Sequence, residues 1–277
     1  MNPLVSIIIP THNRRSMVGD AIDSVLAQSY RDFKVVVVDD GSDDGTAEEI
    51  AKRYGRAVRV VWQINRGVAA ARNLGVCDAA GPYLAFLDSD DAWRGRKLET
   101  QMAFMQAHPQ ARICQTEEIW IRNGTRVNPK IRHRKPSGDI FRASLELCLV
   151  SPSAVLMTRA LFDRVGGFDE SFPVCEDYDL WLRIARDTPI HLIPAPLVIK
   201  RGGHADQLSR STWGLDRFRI RAIKKLLDAG LSGEKKLWAL EVLVRKAAIV
   251  AQGARKRGKR EEAGEYEAMI RGVDWVA

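Results

Sequence analysis

The first third of the chain carries four short apolar runs, each followed by a polar break. They are LVSIII (4–9), stopped by Pro10; KVVVVDDGS (34–42); VRVVW (58–62); and YLAFLD (83–88). Continuous β-branched runs such as the first two predict strands buried on both faces, and the other two runs read as a third and a fourth strand. Between them the apolar spacing turns helical. Val18, Ile22, Val25 and Leu26 mark a helix over 16–28 with Ser16 as its N-cap, and Asp43 would cap a second over 44–54. The Ala-rich GVAAARNLGVCDA (67–79) predicts a third, ending near Gly81-Pro82. Strand–helix alternation at this interval predicts a parallel α/β sheet with right-handed crossovers. Ligands bind at the carboxyl ends of such strands. Those ends read PTHN, DDGS, QINRG and DSDD, all polar and two strongly acidic.

After Trp93 the pattern changes. A helix is expected near 96–107, then antiparallel strands over 111–127 with a hairpin at Asn123-Gly124. NPKIRHRKPSG (128–138) reads as a basic, turn-rich, mobile loop. A short helix, a strand SAVLMT (153–158) and a turn VGGFDE (165–170) follow. EDYDLWLRIARD (176–187) is an amphipathic helix that buries Trp181. Two short strands are expected near 190–193 and 197–201, and everything beyond about 210 reads helical.

The 277 residues suit one large domain or a domain with an appendage, and 45% hydrophobic content supplies a core. No apolar run approaches the roughly 20 residues needed to span a bilayer. Met1 to Ile9 enters a strand without a basic leader, so no signal peptide is expected. Cys77, Cys114, Cys148 and Cys175 are scattered, with no CxxC pair, which fits a reducing cytoplasm rather than a zinc or redox motif. The net charge of +8 is uneven. Residues 217–260 hold 14 Lys/Arg against three acids, a local +11. WALEVLVRKAAIVAQGARKRGKR (238–260) joins an apolar stretch to this cationic run. It predicts an amphipathic helix on an anionic membrane, or a helical extension packed on the preceding domain or on a second subunit.

LDSDD (87–91) sets three carboxylates in four residues at a strand end. Like charges so close raise one another's pKa and call for a neutraliser. A hard-oxygen cluster of this kind suits Mg²⁺ or Mn²⁺. The competing reading is that Asp90 or Asp91 caps the following helix, which needs only one acid.

The segments VSIIIPTHNR, VVVVDDGSDDGT, NRGVAAARNLG, YLAFLDSDDAW, GGFDE and EDYDLWLR occur in that order. The ordered set resembles the family 2 inverting glycosyltransferases of GT-A fold, over roughly residues 4–205. The resemblance implies a mixed α/β sheet flanked by helices as a catalytic domain (1–205), with a basic helical C-terminal extension (206–277). It implies that Pro10, Thr11, His12 and Asn13 line the base and ribose pocket, although the family usually has Tyr at the place of His12. Asp40 would hydrogen-bond the base, and Arg72 would lie near the nucleotide. Asp88 would reach the ribose or sugar, with Ser89 beside it. Asp90 would coordinate the divalent ion, joined by His204 from KRGGHADQLS. Asp177 would be the catalytic base, with Glu176 and Trp93 on the acceptor side. Spacing alone would instead explain Glu176-Asp177 as favourable charge at a helix N-terminus.

The implied donor is a nucleotide-diphosphate sugar, UDP by default with GDP and dTDP open. The implied acceptor is a glycan or a lipid-linked sugar, handled in the cytoplasm or at the inner face of the membrane. A sugar nucleotidyltransferase would carry a Gly-rich basic loop where this chain has PTHNRR. A non-catalytic module binding nucleic acid through the +11 segment would carry an RNA- or DNA-binding motif, and none appears.

Overall fold

The computed structural model describes residues 4–128, 130–203 and 214–275. Four strands open the chain: β1 (Val5–Thr11), β2 (Phe33–Asp40), β3 (Arg59–Gln63) and β4 (Tyr83–Phe86). Helices α1 (Val18–Leu26), α2 (Thr46–Tyr54) and α3 (Val68–Asp78) connect them. All four strands pair in parallel in the order β3-β2-β1-β4. The chain adds β2 and β3 on one side of β1 and then β4 on the other. The gap outside the carboxyl ends of β1 and β4 is therefore a topological switch point, where open α/β sheets bind ligands.

The remaining elements are β5 (Ala92–Trp93), α4 (Lys97–Ala107), β6 (Ile113–Arg122), β7 (Thr125–Val127), α5 (Phe141–Glu146), β8 (Val155–Thr158), α6 (Arg159–Val165), α7 (Glu176–Ala185) and β9 (His191–Gly202). Strand β8 pairs antiparallel with β4 and with β6, and β9 runs parallel to β6, making the sheet mixed. Nine strands pair among the described residues. Asn123 and Gly124 both have positive φ, 48° and 76°, and form the expected two-residue hairpin between β6 and β7. The two short strands expected over 190–201 are one strand. A register shift against Thr116, Glu117 and Glu118 absorbs Pro194 and Pro196.

Three helices end the described chain: α8 (Leu215–Asp228), α9 (Gly233–Lys256) and α10 (Arg260–Arg271). Their buried residues, among them Ile223, Leu226, Leu240, Leu243 and Ala247, share one core with Phe86, Phe168, Tyr178 and Trp181. The apolar face of 238–260 is thus spent inside the protein rather than offered to a bilayer. No helix of the described residues is long and apolar enough to cross a membrane.

Three expected caps are corrected. Ser16 does not cap α1, whose N-cap is Met17 without a side-chain bond. Asp43 does not cap α2. Gly45 stands at that N-cap with φ 81°, and Asp44 accepts from the Thr46 N–H at 3.0 Å. Neither Asp90 nor Asp91 caps the next helix, since α4 begins at Lys97 with Arg96 before it. The basic loop is also better anchored than expected. Lys135 is buried, ion-paired to Glu118 at 3.0 Å, and donates to the Thr116 carbonyl, so it is not among the cations facing outward.

Candidate active site

The carboxyl ends of β1 and β2 lie side by side, with Thr11 opposite Asp39. Side chains alternate along a strand, so Asp39 and Asp40 face opposite sides of the sheet. Asp40 is turned into the protein. Its carboxylate accepts from the backbone N–H of Arg66 (2.9 Å) and of Gly67 (2.8 Å), and from Gln63 Nε2 (2.6 Å). It thereby ties the loop before α3 to β2. Gly41, with φ 77°, makes this approach feasible: a Cβ there would lie 2.7 Å from the Asn65 amide nitrogen. Asp39 is fully buried and its Oδ1 accepts from the Ser42 N–H at 2.8 Å. Its Oδ2 and the neighbouring Thr11 Oγ1 have no partner among the described residues. Buried polar atoms are nearly always hydrogen-bonded, so this unmatched pair at a strand end is a candidate for a ligand contact. Clustering along the sequence could not separate Asp39 from Asp40; the pleat sets the two acids in different surroundings.

Asn13 joins β1 to the loop after β2. It has φ 50°, donates its N–H to Ser42 Oγ, and accepts from the Asp43 N–H. His12 is exposed and its ring contacts Asn65. Pro10 is buried beside Val38.

The β4 end is arranged differently. Arg72, on α3 and only 4% exposed, donates to Asp88 at 2.7 Å and to Glu176 at 2.6 Å. Helix α3 can sit this close because of Gly75, where a Cβ would fall 2.5 Å from Ile8 Cγ2. The neutraliser demanded by the clustered acids is therefore in part an arginine. One cation serves the buried Glu176 and the half-buried Asp88, and the two carboxylates diverge. Burial alone would raise Asp88, but Arg72 and Lys200 outweigh it and hold that carboxyl below its ordinary value. Burial and the adjacent Asp177 push Glu176 up to about 7 against the pull of Arg72.

Asp91 is buried. It accepts from Ser153 Oγ (2.7 Å) and from the Arg201 N–H (3.0 Å), while the Asp88 N–H donates to the same Ser153 oxygen. Burial, Asp88 and Asp90 push Asp91 up to about 8. Lys200 Nζ stands 4.0 Å from Asp91 and donates to Ser151 Oγ. Burial would lower the Lys200 ammonium; Asp91, Glu118, Asp88 and Asp177 together raise it. Ser89 is buried within the turn. Asp88, Asp90 and Asp91 each offer a carboxylate oxygen, all within 4.8 Å of one another, a donor set that fits a hard divalent cation. Neither Ser153 nor Lys200 stands out in sequence as a site residue; the turn before β8 and the pairing of β9 with β6 bring them here.

Helix α7 begins at Glu176 after Cys175, a non-glycine residue at φ 63°. That left-handed turn sets Glu176 and Asp177 at the helix N-terminus. Glu176 faces Arg72 and is buried, so it serves the ion network rather than the acceptor side expected for it. Asp177 is half-buried. It accepts from the Tyr178 N–H at 2.7 Å and from the Cys148 thiol at 3.5 Å. Burial, and then Asp177, hold that thiol protonated well above its ordinary range.

Trp93 is corrected. It is 4% exposed, donates its indole N–H to the Ser153 carbonyl, and lies under the Lys97 ammonium. It packs in the core and cannot stack on a sugar. Trp181 is buried as expected. His204, expected as a metal ligand, lies outside the described residues.

Comparison with known proteins agrees with this geometry. Residues 6–166 match the family described as glycosyl transferase family 2. An uncharacterised glycosyltransferase of Rickettsia felis is 34% identical over 75% of this chain, but the match spans only 35% of that protein. A UDP-Glc:α-D-GlcNAc-diphosphoundecaprenol β-1,3-glucosyltransferase of Escherichia coli, WfgD, is 30% identical over 78% of this chain and 81% of its own length. Residues 1–349 of TarS from S. aureus, solved with UDP-GlcNAc, superpose with a TM-score of 0.67 at 17% identity, covering 98% of this chain and 92% of that one. A mannosyltransferase of Pyrobaculum calidifontis, solved with GDP-Man and Mn²⁺, gives 0.61 at 19% identity, covering 98% and 84%. At such identities the structural likeness shows the fold, which is GT-A. The chain belongs to glycosyl transferase family 2.

Proposed function

We propose that the chain is an inverting transferase that moves a sugar from a nucleotide-diphosphate donor to a hydroxyl of a lipid-linked or glycan acceptor. A UDP-sugar is the donor favoured, because the Escherichia coli relative is named for UDP-Glc and the TarS structure holds UDP-GlcNAc. The observation that carries the reading is the arrangement at the switch point. Unmatched Asp39 and Thr11 stand at one side, the Asp88, Asp90 and Asp91 cluster follows β4, and Arg72 links that cluster to the α7 N-terminus bearing Asp177.

Asp39 and Thr11 would receive the donors of the base or ribose. Asp90, with Asp88 and Asp91, would hold Mg²⁺ or Mn²⁺, which when bound stabilises the negative charge of the departing diphosphate. Asp177 would take the proton from the acceptor hydroxyl as its oxygen attacks the anomeric carbon. The bond from that carbon to the diphosphate oxygen breaks as the new glycosidic bond forms. A single displacement inverts the anomeric centre, and the good leaving group removes the need for a second carboxyl as acid. Glu176 and Arg72 position the start of α7 and with it Asp177.

The test is a thermal-shift screen of UDP-, GDP- and dTDP-sugars with Mn²⁺, followed by transfer assays with the stabilising donor. One donor should raise the melting temperature, and Asp177→Asn should keep that shift while losing transfer. Undiminished transfer in Asp177→Asn and Asp90→Ala would overturn the assigned roles.

A further inference from the structure

The chain has no acid between Glu118 and Asp139 and places six cations there: Arg122, Arg126, Lys130, Arg132, Arg134 and Lys135. Lys135 is the anchor, buried against Glu118. The others are exposed, and among the described residues none of Arg126, Lys130, Arg132 and Arg134 forms an ion pair. The patch is built rather than loose. A 3₁₀ turn spans Ile131–His133, closed by the His133 N–H to the Lys130 carbonyl at 2.8 Å. The His133 ring packs on Trp120 at 5.3 Å, and Arg122 lies over the same indole at 5.9 Å. Two separate segments thus converge their cations on one aromatic support. The turn points Ile131 outward. It is 93% exposed, well beyond the other exposed large apolar residues, of which Ile64 at 67% is next.

The patch also lies beside the acidic site. Trp120 is opposite Lys200 in the pairing of β6 with β9, and Lys200 is 4.0 Å from Asp91.

We infer that this patch, Arg122 to Arg126 with Lys130 to Arg134, is the surface by which the protein seats on an anionic lipid membrane. An apolar tip ringed by unmatched cations matches a bilayer interface, where Ile131 enters the headgroup region and the cations meet lipid phosphates. A single-stranded nucleic acid would instead want aromatic stacking faces, and the aromatic here, Trp120, is turned inward under His133. The C-terminal helices are the poorer candidate. Their apolar face is buried, and Lys224, Lys225, Arg245, Lys246 and Arg255 are matched to acids. The inference rests on the lipid-linked acceptor reading only for why the patch opens beside the site.

The experiment uses the full chain and phosphatidylcholine vesicles, with and without an equimolar share of phosphatidylglycerol, and neither donor nor acceptor. The protein should sediment with the anionic vesicles and not with the neutral ones. Each cation near an anionic surface contributes about fivefold to partitioning, so Lys130→Gln, Arg132→Gln and Arg134→Gln combined should lower it about a hundredfold. Ile131→Asp should lower it about tenfold. Lys256→Gln with Arg260→Gln, on the C-terminal helices, should leave it unchanged. The inference is overturned if the wild type ignores anionic vesicles, if the triple variant binds them equally, or if the C-terminal pair abolishes binding. Retention on RNA that follows the triple variant but not Ile131→Asp would point to a nucleic-acid partner and likewise overturn it. Donor-induced thermal shifts should be equal in all variants, so loss of those shifts would fault the donor reading and not the patch.

Discussion

Two strand ends carry clustered acids, Asp39-Asp40 on β2 and Asp88-Ser89-Asp90-Asp91 after β4, and the fold treats them in opposite ways. At β2 the pleat splits the pair. Asp40 is consumed by the backbone N–H groups of Arg66 and Gly67, while Asp39 keeps one carboxylate oxygen without a partner. After β4 the chain turns at once, so three carboxylates converge instead of alternating. Their charge is balanced from three directions: Arg72 on α3, Ser153 before β8, and the Lys200–Arg201 segment of β9. Two acids adjacent along a strand are thus separated in space, whereas acids spaced along a turn are gathered. The first arrangement suits single-point recognition of a base or ribose. The second suits a cation and the diphosphate it accompanies.

The contrast can be broken experimentally, and the largest effect belongs to the β4 end. Asp90→Ala is expected to lower turnover about a thousandfold, through lost stabilisation of the departing diphosphate, with little change in melting temperature. Retained activity would remove the metal role from this cluster. Arg72→Met comes next. Removing the cation from buried Glu176 and half-buried Asp88 should cost about 3 kcal/mol of stability, seen as a fall of roughly 10 °C in melting temperature. Adding Glu176→Gln should restore part of it, since one of the two abandoned charges is then gone.

The β2 pair supplies a direct reversal test. Asp39→Asn should weaken nucleotide binding about tenfold or more by titration calorimetry, with the fold unchanged. Asp40→Asn should do the opposite, costing about 1–3 kcal/mol of stability because an amide cannot accept all three bonds. An exchange of these two outcomes would return base recognition to Asp40.

The smallest effect is a pH dependence. Glu176 holds its proton up to about 7 in the folded protein, against 4.5 ordinarily. A raised folded value means that its contribution to stability is complete below about 4.5 and is lost as pH climbs to about 7. Glu176→Gln should therefore flatten the decline of melting temperature across that window. An unchanged slope would show that Arg72 keeps Glu176 ionised throughout.

The two cation-rich regions mark the limit of reading charge from sequence. The +11 segment over 217–260 draws attention by count, yet the fold matches much of it to acids from distant positions, such as Lys225 to Asp169 and Arg245 to Glu146. The loop over 130–134 has fewer cations, and they stay unmatched because no acid of the described chain reaches them. Helix caps were equally illegible. Ser16, Asp43 and Asp91 have the chemistry of caps, but capping depends on backbone angles at the boundary, which composition does not specify. Trp93 could be read in sequence as a core or a sugar-stacking residue, and only the fold shows it in the core, its indole N–H on the Ser153 carbonyl 60 residues away.

What the sequence by itself determined was local. The four apolar runs define β1 to β4, and each run ends where polar residues begin; β1 and β2 are buried on both faces and need no alternation, whereas β3 is the edge strand and leaves Arg59 and Trp62 exposed. The parallel order and the acidic strand ends follow from that pattern, as does the ordered motif set that marks the family. Tertiary structure alone decided which partners each acid meets. Arg72 reaches Asp88 across 16 residues and Glu176 across 104, and Lys200 arrives by strand pairing. Hydrogen bonds and ion pairs at a buried site are set by distances of a few ångströms in space, and separation along the chain carries almost no information about them.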